Sequence, residues 1–264
     1  MQRVLLVATL LVAGLSAAAA AADARSEAAL RKSQEAIGTL VPDLEFSDAS
    51  RGNVGLADLR GKPVVISLVY TSCADICPVI IESLAAAVDT AEATLGKGSF
   101  SVLTIGFDTR NDTPQRMRSF ARAHGAGGEN WLFVAADRQS VERLATSTGF
   151  GYFASAGGFD HMAQVTVLDG AGTVYQQIYG DVFEPPALVG PLRELVLGGT
   201  RSIFSLQGLG DRLRLFCQVY DRNSGRYRVD YSLLVSIIVG AVSLLAVLAF
   251  FVREFRNSQR AGRI

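Results

Sequence analysis

Short apolar runs of strand length alternate with longer segments of helical period through the middle of this chain. That alternation restricts the folds open to it more than any other feature. The run "KPVVISLVY" (62–70) is β-branched, apolar and brief, as a buried strand requires. After it, Val79, Ile80, Leu84, Ala87, Val88, Ala91 and Leu95 recur at helical spacing from Pro78 to Leu95. "FSVLTIGFD" (100–108) and "WLFVAAD" (131–137) read as a second and a third strand. Between them, "TPQRMRSFARAHG" (113–125) carries Thr113 as a cap, Pro114 in its first turn and Gly125 at its end. "RQSVERLATSTGF" reads as a helix opened by Asp137. "HMAQVTVLDGAGTVYQQIYG" is a hairpin with its turn at "DG", and "EPPALVGPLRELVLG" a last helix entered through Pro185 and Pro186.

The order β-α-β-α-β-α-β-β-α implies an α/β domain with a parallel core and antiparallel strands added at its end. This is the arrangement of a thioredoxin-like domain with an inserted βα unit. The domain is expected over 41–199, after a polar, partly helical lead-in at 23–40. No internal repeat is present.

Both ends of the chain are of a different character, and they account for the high hydrophobic share of 49%. At the N-terminus Arg3 precedes an apolar run from Val4 to Leu15 and an alanine tract with A-x-A at Ala20 to Ala22. This pattern predicts a signal peptide over 1–22; an uncleaved anchor is the alternative. Tyr231 to Val252 carries no charge and is long enough for a transmembrane helix. An Arg-rich tail, 253–264, follows it and is expected in the cytoplasm. The intervening 200–230 reads as a juxtamembrane connector, with strand-like alternation on either side of a turn at Asn223 to Gly225. The domain is therefore expected outside the cytoplasm, tethered to the inner membrane by one C-terminal span. Lys and Arg balance Asp and Glu at 25 each, and no basic tract interleaves with aromatics, so nucleic acid is not an expected partner.

Two of the three cysteines, Cys73 and Cys77, stand in "VYTSCADICPVI", where the first core strand gives way to a helix. The free N–H groups and positive dipole end of a helix start favour thiolate, the form that attacks disulfides and binds metals. Four residues along a helix turn through about 400°, so both sulfurs can face one side. The pair suits a redox disulfide or a soft metal ion; an incidental pair of buried thiols is the bland alternative. Three intervening residues depart from the C-x-x-C redox pattern. Neither cysteine completes a P-x-x-x-T-x-x-C peroxide-reducing motif. Holding copper in both oxidation states calls for imidazole beside the thiolates. Of the two histidines, His124 stands at a helix end, where it suits the last carbonyls. His161 stands at the glycine-rich entry to the hairpin, which a thioredoxin-like topology lays beside the cysteine-bearing helix start. Met162 is expected to point to the opposite face, Asp75 to face solvent, and Cys217 to be a buried free thiol or an accessory soft ligand.

"YTSCADICP", "IGFDTRNDTPQRMRSFARAHG" and "FDHMAQVTVLD", in this order and spacing, resemble the Sco/SenC family over roughly 38–198. That family consists of membrane-anchored, thioredoxin-like copper proteins linked to cytochrome oxidase assembly. The resemblance implies copper, as Cu(I) and Cu(II), with Cys73, Cys77 and His161 as ligands and Asp160 beside the histidine in a supporting role. It also implies a copper donor protein and a copper-receiving respiratory oxidase subunit as partners. A metallochaperone is expected rather than an enzyme. The alternatives are a thiol–disulfide oxidoreductase using Cys73 and Cys77 to keep the recipient's cysteines reduced, or a redox signalling component. Many family members are anchored N-terminally, and a C-terminal anchor departs from that pattern.

Overall fold

The structure, a computed structural model, describes residues 25–73, 76–155 and 158–198, with the backbone of 218–221 and 226–229. The expected signal peptide, most of the connector with Cys217, the span 231–252, the tail and Asp75 lie outside these residues. Among the described residues no helix is long and apolar enough to cross a membrane.

Residues 25–35 form helix α1. A hairpin of β1 (Glu45–Asp48) and β2 (Gly52–Gly55) follows, then a 3-10 turn at Leu56–Leu59. The alternating part is β3 (Val64–Val69), α2 (Ile76–Leu95), β4 (Ser101–Gly106), α3 (Pro114–Ala123), β5 (Trp131–Ala135) and α4 (Arg138–Thr148). A small separate hairpin, β6 (Tyr152–Ser155) and β7 (Gly158–His161), precedes β8 (Gln164–Leu168), β9 (Val174–Tyr179) and α5 (Pro186–Gly198). In a unit of its own, β10 (Gln218–Asp221) pairs antiparallel with β11 (Arg226–Val229).

One mixed sheet of seven strands runs in the order β2-β1-β5-β4-β3-β8-β9. β3, β4 and β5 are parallel; β8 runs antiparallel to β3, and β1 antiparallel to β5. All residues of β3, β4 and β5 are buried, which explains their largely apolar composition, interrupted by Ser67, Ser101 and Thr104, since strands covered on both faces need no polar alternation. The expected parallel core and terminal hairpin are present. The β1–β2 hairpin extends the sheet beyond them.

The helix starts follow their caps. The Thr113 side chain accepts from the Arg116 N–H, and Asp137 Oδ1 accepts from the Ser140 N–H at 2.7 Å. α4 closes at Gly149 with φ +66, where a Cβ would lie 2.5 Å from the Lys32 carbonyl oxygen of α1. α2 packs against α5. Along β8, Gln164 and Thr166 share one face with a buried hydrogen-bonded cluster of Ser33, Thr148 and Gln177, which joins α1 and α4 to the sheet. Residues Val165 and Val167 take the other, apolar face.

Candidate metal centre

The cysteine loop begins where β3 leaves the sheet at Val69. The Cys73 N–H donates to the Tyr70 carbonyl oxygen at 3.1 Å, which turns the chain toward α2. The first amides of a helix have no acceptor within it. One of them, the Cys77 N–H, donates to Cys73 Sγ at 3.4 Å. Thr71 is held from outside the loop. Asp112 Oδ1 accepts from its N–H at 2.9 Å and its hydroxyl at 2.7 Å, and Asp112 Oδ2 accepts from the Asp108 N–H at 2.9 Å. Gly106 admits this carboxylate: a Cβ there would lie 2.5 Å from Asp112 Cβ.

His161 arrives from the other side, on β7. Its Nε2 is 3.6 Å from Cys77 Sγ, and its Nδ1 is 3.2 Å from the Met162 carbonyl oxygen. The carbonyl can only accept, so it assigns the ring proton to Nδ1 and leaves the Nε2 lone pair facing the sulfur. Three rings hold the imidazole: Tyr70, Phe107 and Phe150, with centroids at 5.9, 5.5 and 5.8 Å. The ligating atoms of Cys73, Cys77 and His161 all lie within 4.8 Å of one another. Neither Cys73 nor Cys77 is in a disulfide; Cys77 is fully buried and Cys73 half-buried.

Burial pushes the Cys77 thiol far above its usual range; the neighbouring Cys73 adds to this, and the Tyr70 backbone hydrogen bond opposes it. A thiolate favoured by the helix start is therefore not the resting form of Cys77, because desolvation outweighs the dipole. Burial also lowers the His161 pKa, against weaker upward pulls from the Met162 carbonyl and the Asp160 charge. The ring is thus neutral with its lone pair available. Two soft sulfurs and one imidazole, arranged around a common point and half open to solvent through Cys73, fit a soft or borderline cation such as copper.

The sequence brings together all three expected ligands at this point. Asp160 is exposed and acts on His161 through its charge, while the ring hydrogen bond goes to the Met162 carbonyl. His124 is elsewhere, its Nδ1 3.6 Å from Glu82 Oε1 and its ring on Phe120. Tyr70, Phe107, Phe150 and Asp112 were not singled out from sequence. Asp112 stands just before the Thr113 cap, where the sequence reads as an ordinary helix entry.

The sequence pattern of the SCO1/SenC family matches residues 33–196, more than half of the chain. The chain belongs to the SCO1/SenC family. Its matched region holds both cysteines and His161. A curated relative, the SCO1 protein homolog of Bacillus subtilis (strain 168), is 28% identical over 108 residues, 40% of this chain. That match spans 54% of the relative, about half its length. Among solved structures, a protein of Aquifex aeolicus VF5 provisionally described as an electron transfer protein is 30% identical. It aligns with TM-score 0.55 over 62% of this chain and 96% of its own. Arabidopsis thaliana ScoI with copper bound is 20% identical, with TM-score 0.51 over 59% of this chain and 97% of its own, a likeness of fold. This SCO1/SenC protein thus carries a thioredoxin-like α/β fold of the Sco type.

Proposed function

We propose that this SCO1/SenC protein binds copper through Cys73, Cys77 and His161 and delivers it to a respiratory oxidase copper centre. The observation that carries the reading is the convergence of those three ligand atoms within 4.8 Å on elements far apart in sequence. The Sco family is one of cytochrome c oxidase assembly proteins, and a relative of the same fold holds copper. Copper in the site supplies a cargo that the softer thiols and the imidazole can hold in either oxidation state.

Each side chain has a distinct task. Cys77, buried at the helix start, is the fixed ligand and would release its proton to solvent as the cation binds. His161 supplies the harder donor. Cys73, on the loop and half-exposed, is the ligand that a recipient can replace first. Export through residues 1–22 and a C-terminal span at 231–252 would tether this shallow site beside a membrane-bound recipient and raise its effective concentration there.

The reading competes with a thiol–disulfide oxidoreductase, which needs the cysteines and gives His161 no task. Deleting the gene is expected to lower copper-dependent oxidase activity, with partial recovery on adding copper. A His161→Ala variant is expected not to complement, although both thiols remain. Full complementation by that variant, with failure of either cysteine variant, would establish thiol reduction as the function instead.

A further inference from the structure

Helix α1 reaches the metal centre through the hairpin that carries His161. That hairpin, β6 with β7, is no part of the seven-stranded sheet, so its position depends on what holds its two ends. The chain approaches it from Thr148, the last residue of α4, and leaves it into Gln164, the first of β8. The Thr148 carbonyl lies at a helix end, where no helical N–H reaches it. It accepts instead from Gln164 Nε2 at 3.1 Å and from Gln177 Nε2 at 2.9 Å. Gln164 thus ties the exit of the hairpin to its entry. Ser33 of α1 completes the tie. Its hydroxyl donates to Gln164 Oε1 at 2.8 Å, and its carbonyl accepts from Gln177 Nε2 at 3.4 Å. The Tyr179 hydroxyl stands 3.0 Å from the same Ser33 oxygen. Ser33 and Thr148 are 0% exposed and Gln164 3%, so a partner lost here is not replaced by water.

The backbone of α1 bears on the same entry. A Cβ on Gly149 would lie 2.5 Å from the Lys32 carbonyl oxygen and 2.6 Å from Ser33 Cα, and one on Gly151 would lie 3.6 Å from Ala29 Cβ. Between these glycines stands Phe150, whose ring packs on the His161 imidazole at 5.8 Å. The Gly151 carbonyl accepts the Met162 N–H at 3.4 Å, and the Met162 carbonyl faces His161 Nδ1 at 3.2 Å. Within residues 25–35 Ser33 is the one buried residue, so α1 adds little to the apolar core. Its contacts gather at the root of the hairpin.

We propose that Ser33 is a positioning residue of the copper site, through which α1 fixes the hairpin and sets the His161 imidazole toward the two cysteines. The inference rests on the copper reading above. Cys73 and Cys77 stand on other elements, so a loosened hairpin withdraws the imidazole and leaves the sulfurs in place. Imidazole matters most to Cu(II), so the loss falls on that ion.

Ser33→Ala removes the hydroxyl and adds no bulk beside Gly149. Thr104→Val is the control. It too removes a buried hydrogen bond, the one that Trp131 Nε1 donates to Thr104 Oγ1 at 2.9 Å, but within the seven-stranded sheet. In full-length protein in detergent, hydrogen exchange of the Met162 amide is measured without metal, and Cu(I) and Cu(II) affinities by competition titration. In Ser33→Ala the exchange is expected to rise about fivefold, the net equilibrium weight of one hydrogen bond, and the ratio of Cu(II) to Cu(I) affinity to fall by about the same factor. Thr104→Val is expected to match wild type in both. An unchanged exchange rate or affinity ratio in Ser33→Ala, or equal shifts in both variants, would overturn the role of Ser33 and leave the copper reading standing. Wild-type protein that binds neither ion would instead remove the copper reading and this inference together.

Discussion

At the residue scale the centre is governed by desolvation. Cys77 and His161 are both held in their neutral forms by burial, from opposite directions on the pH axis. Above the usual thiol range the unfolded chain releases the Cys77 proton while the folded domain resists, so metal-free stability is lost as pH rises there. Below the usual imidazole range the unfolded chain protonates His161 first, so stability is lost as pH falls. Chemical denaturation of the metal-free protein is expected to show both losses, and Cys77→Ser is expected to remove the alkaline one. Thiol deprotonation also couples to loading: copper affinity is expected to rise about tenfold per pH unit for each proton released. His161→Ala is expected to weaken Cu(II) more than Cu(I), because imidazole matters most to the harder ion; competition titrations with each oxidation state measure it.

At the element scale two loops and one hairpin build the site, and Asp112 is the clasp between the loops. It is 4% exposed and takes three hydrogen bonds from Thr71 and Asp108. Asp112→Ala leaves buried donors unpaired at about 1–3 kcal/mol each, and a total loss of about 3 kcal/mol in denaturant unfolding is expected. The same variant should bind copper more weakly, since the Cys73 loop loses its tie to the α3 entry. Gly149→Ala is a second test at this scale. Its φ of +66 and the Lys32 carbonyl at 2.5 Å from the added Cβ predict destabilisation well beyond the roughly 1 kcal/mol of conformational strain alone. Much of this level was legible beforehand. Thr113 and Asp137 announced their helices through short polar caps, and brief, largely apolar runs announced β3, β4 and β5. The β1–β2 and β6–β7 hairpins were not legible as strands. Their four-residue strands are too short for a period to show, and Phe46 is the one large apolar side chain that β1 buries. The resting form of Cys77 was also hidden, because it depends on burial by residues distant in sequence, whereas the helix-start dipole is local.

At the scale of the whole molecule, the three ligands meet because the fold sets a strand–helix junction beside a later hairpin. Cys73 and Cys77 could be recognised as a pair from their spacing. His161 could be matched to them only through the topology, which the alternating elements had already implied. The proposed tether belongs to this scale too. Fusions placed after Val252 are expected to be active with a cytoplasmic reporter and silent with a periplasmic one; the reverse pattern would put the metal centre in the wrong compartment. The most direct test of the central claim is the copper content of purified full-length protein, wild type against Cys73→Ala, Cys77→Ala and His161→Ala. The account predicts about one copper per wild-type chain, as expected for three ligands around one point, and loss of tight binding when either sulfur is removed. Wild-type protein without copper, or copper retained undiminished after both cysteines are replaced, would contradict it.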